Sequence, residues 1–426
     1  MAVAFLIFTL SSGIGTPAEI LIRPGESIQA AVDNASSGDV IIIKPGNYTE
    51  NIIISTQNLT IRSDSGNPED TVVMANNPNI NVFQTRANNT TISGFKVKAA
   101  KYTDVTGIYL SGCSNCTIAN NNLSENSLGI YLSNSKNNTI SDNKVNLNEK
   151  YGIQLVYSEG NILLNNSADS NHHGIILENN CSDNNLTSNT ADSNRGYGFY
   201  LINSSINNLN NNTINKNDMG IYLTNSNMSI ISGNNISENI RYGIWVSHSN
   251  SNIISGNIIR ESNWGIHLNS SDNNILSGNI LASNDVSGLS MCPACDNNTV
   301  FNNYLNNIFN ADIGNKRNTW NIKRTEGTNI VGGPYLGGNF WASPDRTGFS
   351  EIAPDADENG ISDLNYNGTN FTDYLPLVPV SDLQEQILPA VNFSTSFTNV
   401  TASKTVIDIP ADPVPAKSGS SDDNAT

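Results

Sequence analysis

A four-residue phrase of Gly, apolar, variable, apolar recurs along the chain at nearly constant intervals, and this repeat constrains the fold more than any other feature. The copies are Gly107-Ile-Tyr-Leu, Gly129-Ile-Tyr-Leu, Gly152-Ile-Gln-Leu, Gly174-Ile-Ile-Leu, Gly198-Phe-Tyr-Leu, Gly220-Ile-Tyr-Leu, Gly243-Ile-Trp-Val, Gly265-Ile-His-Leu and Gly288-Leu-Ser-Met, separated by 22, 23, 22, 24, 22, 23, 22 and 23 residues. Alternation of apolar with variable residues is the pattern of a half-buried strand. Asn stands nine residues before the Gly in most copies, at Asn120, Asn143, Asn165, Asn189, Asn211, Asn234 and Asn279, with Asn257 displaced by one. An apolar residue usually precedes that Asn by three, as Ile140, Ile162, Leu186, Ile231, Ile254 and Leu276 do, which adds a second short strand. A third is expected around Val145, Ile236, Ile259 and Leu281.

Three short strands per period leave no room for crossover helices, so their apolar faces can be buried only by coiling and stacking. The fold class that follows is all-β, a right-handed parallel β-helix, or pectate-lyase-like solenoid. Residues one period apart then become neighbours, and a column of Asn at a turn can bond amide to amide from coil to coil. Proline is absent from 79 to 292. That is expected where nearly every backbone N–H is spent on a neighbouring coil.

The ends of such a stack need covers. Ser27-Ile-Gln-Ala-Ala-Val-Asp-Asn34 has the spacing of a short amphipathic helix and precedes Gly38-Asp-Val-Ile-Ile-Ile43, a natural first strand, so it reads as the N-terminal cap. Asn58-Leu-Thr-Ile61 and Asn89-Thr-Thr-Ile92 mark the first coils. Beyond residue 300 the period is lost, and Trp320, Phe340 and Trp341 suggest an irregular C-terminal cap. The expected organisation is a signal peptide over 1–18, the β-helix with its cap over 19–310, a C-terminal cap over 311–380, and a linker or tail rich in Ser, Thr, Pro and Asp over 381–426. The apolar run Met1–Leu10 is too short to span a bilayer, so no transmembrane segment is expected. The unit should be a monomer or be attached to an anchor domain.

These residues resemble the NosD-like, CASH-type (carbohydrate-binding and sugar-hydrolase) parallel β-helix repeats of secreted archaeal and bacterial surface proteins. The resemblance rests on Ile28-Gln-Ala-Ala-Val-Asp, Gly38-Asp-Val, Lys44-Pro-Gly-Asn-Tyr48, the Gly-Ile-Tyr-Leu and Asn-Asn-Thr-Ile-Ser phrases, Gly338-Asn-Phe-Trp341 and Asp373-Tyr-Leu-Pro376. It spans roughly residues 20 to 380 and implies the fold, an extracytoplasmic location, an association with carbohydrate and, for NosD itself, copper delivery. It fixes no reaction.

Function must therefore lie on the outside of the solenoid. The formal charge of −17, from 21 basic and 38 acidic residues without a basic cluster, leaves nothing to neutralise a phosphate backbone, so nucleic acid is excluded as a partner. The outward residue two after each Gly forms a column containing Tyr109, Tyr131, Gln154, Ile176, Tyr200, Tyr222, Trp245 and His267. A second column, one before each Gly, contains Tyr151, His173, Tyr197, Met219, Tyr242 and Trp264. Repeated rings on an elongated wall suit stacking against sugars, with hydroxyls adding hydrogen bonds; covering of the sheet explains the same pattern. Tyr109, Tyr131, Tyr200, Tyr222, Trp245, Trp264 and His267 are the candidate carbohydrate-binding residues, and the expected partner is a polysaccharide or cell-envelope glycan.

A lyase or hydrolase would need converging carboxylates. The nearest approach is Glu238, Arg260 and Glu261, with Glu238 and Arg260 both five residues before their Gly and so expected to face each other across coils. The leading expectation is a non-catalytic polysaccharide-binding surface protein, with a polysaccharide lyase or glycoside hydrolase and a surface-layer spacer or NosD-like copper-associated protein as alternatives. For metals, Asp355, Asp357, Asn359, Ile361 (through its carbonyl) and Asp363 occupy positions 1, 3, 5, 7 and 9 of a calcium-type loop with Gly360 at position 6, predicting a structural Ca2+. Position 12 is Tyr366 rather than Glu. The pairs Cys113/Cys116 and Cys292/Cys295 lie too many coils apart to share a zinc ion, leaving local disulfides or plain thiols, with Cys181 unpaired. The four histidines His172, His173, His248 and His267 form no copper-like cluster in sequence. More than twenty Asn-x-Ser/Thr sequons are present.

Overall fold

The computed structural model describes residues 17–101 and 104–380. The tail from 381 and all but the last two residues of the expected signal peptide lie outside them. The chain forms a parallel solenoid of three faces. One face is a 13-stranded sheet running from Glu19–Ile22 to Thr299–Phe301. A second is a 12-stranded sheet running from Ile52–Ile54 to Ala311–Ile313, and it carries all the Gly phrases. The third face begins as three strands ending at Lys96–Lys98 and ends as six strands from Thr213–Asn215 to Phe340–Ala342. Between them it is bridged residue by residue through Asn122, Lys144, Ser167 and Thr190. The third strand expected around Ile236, Ile259 and Leu281 is present in each of those coils, whereas at Val145 the coil is joined to its neighbours on this face only through single-residue bridges at Lys144.

The inward residues form unbroken apolar columns: Ile108, Ile130, Ile153, Ile175, Phe199, Ile221, Ile244 and Ile266 are all fully buried. Each such side chain contributes roughly 1.5–3 kcal/mol by leaving water. The Gly column has a steric cause. A Cβ on Gly220 would come within 2.5 Å of the Gly243 carbonyl and 2.8 Å of Ile236, and Gly265 would meet the Gly288 carbonyl at 2.4 Å. The chain bends into the 12-stranded sheet so tightly at this point that only hydrogen fits.

The Asn columns are three inward ladders, and they correct the sequence reading. One runs Asn121, Asn143, Asn166, Asn189, Asn212, Asn234, Asn257, Asn279, Asn303, Asn339; in it each Oδ1 accepts from the backbone N–H of the preceding member, and almost every one also from its Nδ2. Asn257 is thus in line, whereas Asn120, Asn165 and Asn211 are the exposed left-handed residues just before the ladder, with φ of 52°, 55° and 54°. Counting from the Gly misplaced them because the turn leading into the Gly strand alternates in length. Asn126, Asn171 and Asn217 stand three residues before their Gly, but Asn148, Asn194 and Asn239 stand four before theirs. These last residues form the second ladder, and Asn138, Asn161, Asn184 and Asn207 belong to the third.

A parallel column of hydroxyls, Ser135, Ser158, Ser204, Ser226, Ser249 and Ser271, accepts backbone N–H groups in the same way. Cys113 and Cys181 occupy positions in this column, and Cys181 Sγ accepts the Ser158 N–H at 3.3 Å. The five cysteines are free thiols. Burial pushes the Cys181 thiol up to about 11, so it replaces a serine rather than serving as a nucleophile.

The N-terminal cap is a helix, Ile28–Asn34, with Ser27 as its N-cap and Ile28, Ala31 and Val32 buried on the first coil. The Glu50 carboxylate accepts from Ile28 N and Gln29 N, matching negative charge to the helix start. At the other end the stack outlasts the visible period: Ala311–Ile313 and Phe340–Ala342 still pair in parallel with Leu289–Met291 and Tyr304–Asn306, beyond the expected limit at 310. Trp320, Trp341, Tyr366 and Phe371 then close the core. Asp373, buried beneath them, accepts from Asn339 N, Trp341 Nε1 and Leu375 N. Among the described residues no helix is long and apolar enough to cross a membrane.

Candidate functional site

The outward columns of the 12-stranded sheet assemble as the repeat requires. Tyr109 pairs in register with Tyr131, and Tyr200, Tyr222, Trp245 and His267 follow one another on successive coils. Their rings lie on each other: centroids are 5.0 Å apart for Tyr109–Tyr131 and Tyr200–Tyr222, and 4.7 Å for Tyr222–Trp245, with interplanar angles of 18° or less. The second column joins them through Tyr151–His173, His173–Tyr197 and Tyr242–Trp264 stacks. Tyr197 and Tyr242 cross over to the first column at 4.8 Å from Tyr200 and 4.9 Å from Trp245. All seven candidate residues therefore share one wall. Tyr109 and Tyr131 stand apart from the rest at the positions where Gln154 and the buried Ile176 replace rings in the first column.

Because the rings stack along the solenoid axis, their faces are taken up by one another. What the wall offers outward is edges, phenol hydroxyls and ring nitrogens. Burial raises the phenols of Tyr131, Tyr151, Tyr197 and Tyr242, and that of Tyr200 to about 12, so they remain hydroxyl donors at neutral pH. Burial also pushes His173 down to about 4 and lowers His267, which keeps both imidazoles neutral. His173 Nδ1 accepts the Tyr197 N–H at 2.8 Å, which fixes the proton on Nε2. Trp245 Nε1 and His267 Nδ1, on adjacent coils, are buried without a hydrogen-bond partner.

Two residues missed in the sequence belong to this wall. Glu178, four residues after its Gly, has a carboxyl raised by burial, and Gln154 Nε2 lies 3.4 Å from its Oε2. The column two further along each strand from the aromatic one would have shown Glu178 as the acid among Ser133, Val156, Ile202 and Thr224. His173 stood in the second column without being selected.

The acidic candidates do not converge. Arg260 faces Ser237, not Glu238, because the coil between them gains its extra residue after the ladder position. Glu238 instead stands 3.6 Å from Lys216 at the surface, and half-buried Arg260 lies 3.9 Å from exposed Glu261. Such pairs contribute little. In the cap loop, Asp355 accepts from Asn359 N and Gly360 N, Asp363 accepts from Ala356 N, and Gly360 has φ +81°. Among the described residues no three His, Cys, Asp or Glu side chains gather as a metal site. Among the described residues, His172 and His173 touch edge to face at 4.3 Å with no third donor beside them, so these residues do not fit a copper centre.

Comparison with known proteins places this geometry. Residues 197–346 match the family model for the periplasmic copper-binding protein NosD, and residues 80–234 match that for the right-handed β-helix region. These two matches, each over part of the chain, support a NosD-like right-handed β-helix family. This NosD-like chain is also 34% identical over 124 residues to a cell surface glycoprotein of Methanothermus fervidus, covering 28% of the chain and 19% of that protein. It thus spans about a fifth of that relative's length. Among solved structures it resembles the A-module of the Azotobacter vinelandii mannuronan C-5 epimerase AlgE6, at 18% identity and a TM-score of 0.58 over 68% of this chain and 92% of that one. It also resembles the DFA-IIIase of Arthrobacter chlorophenolicus A6 without its lid, at 15% identity and a TM-score of 0.56, with the same coverage. At these identities the likeness establishes the fold alone.

Proposed function

We propose that this chain is an extracytoplasmic, surface-displayed β-helix that binds polysaccharide along its aromatic wall without altering it. The observation carrying this reading is the continuous row of neutral edges and hydroxyls from Tyr151 to His267, repeating at the coil spacing of about 4.8 Å. An extended polymer lying along the axis meets the same group on every coil, so many weak contacts add. Trp245 Nε1 and His267 Nδ1, enclosed without a partner, lie at one end of the row, where a ligand reaches them only if the rings shift. A wall whose one carboxyl is Glu178, on a chain of charge −17, disfavours polyanions, so the partner is a neutral glycan. The cell surface glycoprotein relative and the polysaccharide-processing enzymes of the same fold support the location and the chemistry.

Binding of the full chain to neutral and acidic polysaccharides tests this. Tyr222→Ala and Trp245→Ala should each weaken binding of a neutral polymer by about tenfold or more. Absence of binding to every neutral polymer, or undiminished binding by the double variant, overturns it. An enzymatic reading is favoured by one observation, the burial-raised carboxyl of Glu178 set among the rings. It requires product release that Glu178→Gln abolishes, with Glu238→Gln as the comparison. For the Asp355–Asp363 loop we propose a structural Ca2+, supported by the oxygen spacing and the turn at Gly360. Calcium should then raise the melting temperature where magnesium does not, and Asp357→Ala should remove the effect.

A further inference from the structure

We infer that the solenoid is built to carry asparagine-linked glycans on two of its three edges, while the aromatic wall and the edge leading into it stay bare. The motif is Asn-x-Ser/Thr. In a chain this rich in Asn, sequons would be expected to fall on the ladders, yet none does. In the first and third ladders the residue two beyond the inward Asn is also inward and apolar, as Ala191 after Asn189, Ile236 after Asn234 and Leu186 after Asn184 are; in the second that position holds Leu128, Lys150, His173, Gly196, Met219 and Arg241, none of them Ser or Thr. In the first and third ladders the core register excludes Ser and Thr from that position, and no ladder Asn begins a sequon.

The fold then divides those sequons. At Asn88, Asn227, Asn235 and Asn269 the hydroxyl residue, Thr90, Ser229, Ser237 or Ser271, is buried, and Asn122 is itself buried with its amide on Glu69. At Asn115, Asn137, Asn180, Asn203, Asn211 and Asn297 the Asn is exposed, its side chain makes no hydrogen bond, and the Ser or Thr is at least partly exposed. Asn115, Asn137 and Asn297 line the turn that enters the 13-stranded sheet, Asn180 and Asn203 stand just before that turn, and Asn211 lies on the next edge. The third edge, which leads into the wall, holds no sequon from Ser124 to Ser287; it carries the Lys150–Asp104, Lys216–Glu238 and Arg241–Asp218 ion pairs instead.

The modification joins the Asn Nδ2 to the anomeric carbon of an oligosaccharide carried on a lipid phosphate. The bond from that carbon to the carrier's phosphate oxygen breaks, the phosphate leaves with the lipid, and the amide loses one proton. At Asn115 and Asn137 the glycan is then attached at exposed left-handed turn residues, φ 58° and 54°.

Site-resolved mass spectrometry of glycopeptides tests this on the full chain secreted from a host that performs asparagine-linked glycosylation. The expected result is sugar on Asn115, Asn137, Asn180, Asn203, Asn211 and Asn297, with at least tenfold lower occupancy at Asn88, Asn122, Asn227, Asn235 and Asn269. Arg241→Thr adds a negative control, because it creates a sequon at the ladder residue Asn239, which should remain unmodified. Comparable occupancy at buried and exposed sequons, sugar on Asn239 in that variant, or empty exposed sites in a host that modifies a control sequon would each overturn the inference. The readout is independent of polysaccharide binding, so it stands or falls apart from the proposed function.

Discussion

Asn212→Ala is the substitution that most directly tests whether the ladders hold the coils together. Asn212 Oδ1 accepts Asn189 N at 2.8 Å and Asn189 Nδ2 at 3.1 Å, while its Nδ2 donates to Leu186 O and Asn234 Oδ1, each at 2.9 Å. Alanine removes all four bonds. Of the two acceptors, Asn234 Oδ1 still receives Asn212 N. The two donors on Asn189 are left facing an apolar methyl, and Asn189 is completely buried. A buried unsatisfied donor costs about 1–3 kcal/mol, so the loss should be about 3–5 kcal/mol, or near 2 kcal/mol if a water enters the vacated space. Because each coil touches only its neighbours, the loss should appear as local opening. Hydrogen exchange of peptides spanning 186–212 is the assay, with Asn208→Ala on the exposed face as the control expected within 0.5 kcal/mol of wild type. If Asn212→Ala and Asn208→Ala exchange alike, the ladder is an ornament of the turn and the reasoning fails.

Gly220→Ala should cost at least as much, about 3 kcal/mol or more, because the new methyl would press on the Gly243 carbonyl at 2.5 Å, a backbone atom already committed to the sheet; a urea midpoint equal to wild type would refute the steric account. For the C-terminal cap, burial raises the Asp373 carboxyl to about 6 from an ordinary 3.8. The folded state therefore holds this proton more tightly than the unfolded chain. Its contribution is most favourable below about pH 4 and declines as pH rises to 6, by roughly 3 kcal/mol, then stays level. The difference in unfolding free energy between wild type and Asp373→Asn, measured at pH 4 and pH 7, reads this change; a difference that does not vary with pH would show that the carboxyl is not buried as described.

Much of this architecture was legible because a solenoid converts one-dimensional periodicity into three-dimensional contact. The Gly phrase located the wall, and the columns read from it met ring to ring. The same reasoning failed wherever it measured from the Gly across a turn. Asn257 looked misplaced and Glu238 appeared to face Arg260, although the true register is kept by inward residues and turns of three or four residues intervene before the Gly. Counting from the ladder would have placed Asn120, Asn165 and Asn211 outside and paired Glu238 with Lys216. The ladder itself could have been recognised by the apolar residue that always follows its Asn by two.

The orientation of the rings was beyond the reach of the sequence for a different reason. A column of Tyr and Trp at one position per coil says that the rings are neighbours about 4.8 Å apart, and at that distance two arrangements compete. Rings lying flat on the sheet would present faces to sugars, but each ring is wider than the coil spacing, so flat rings on consecutive coils would overlap. Upright rings avoid the overlap and gain stacking with each neighbour of about 0.5–1.5 kcal/mol. The observed 4.7–5.0 Å stacks of Tyr200, Tyr222 and Trp245 are that solution. Dense aromatic columns therefore favour recognition by hydroxyls and edges, and face stacking on sugar would require the rings to be spaced at alternate coils, which this wall does not do between Tyr200 and Trp245.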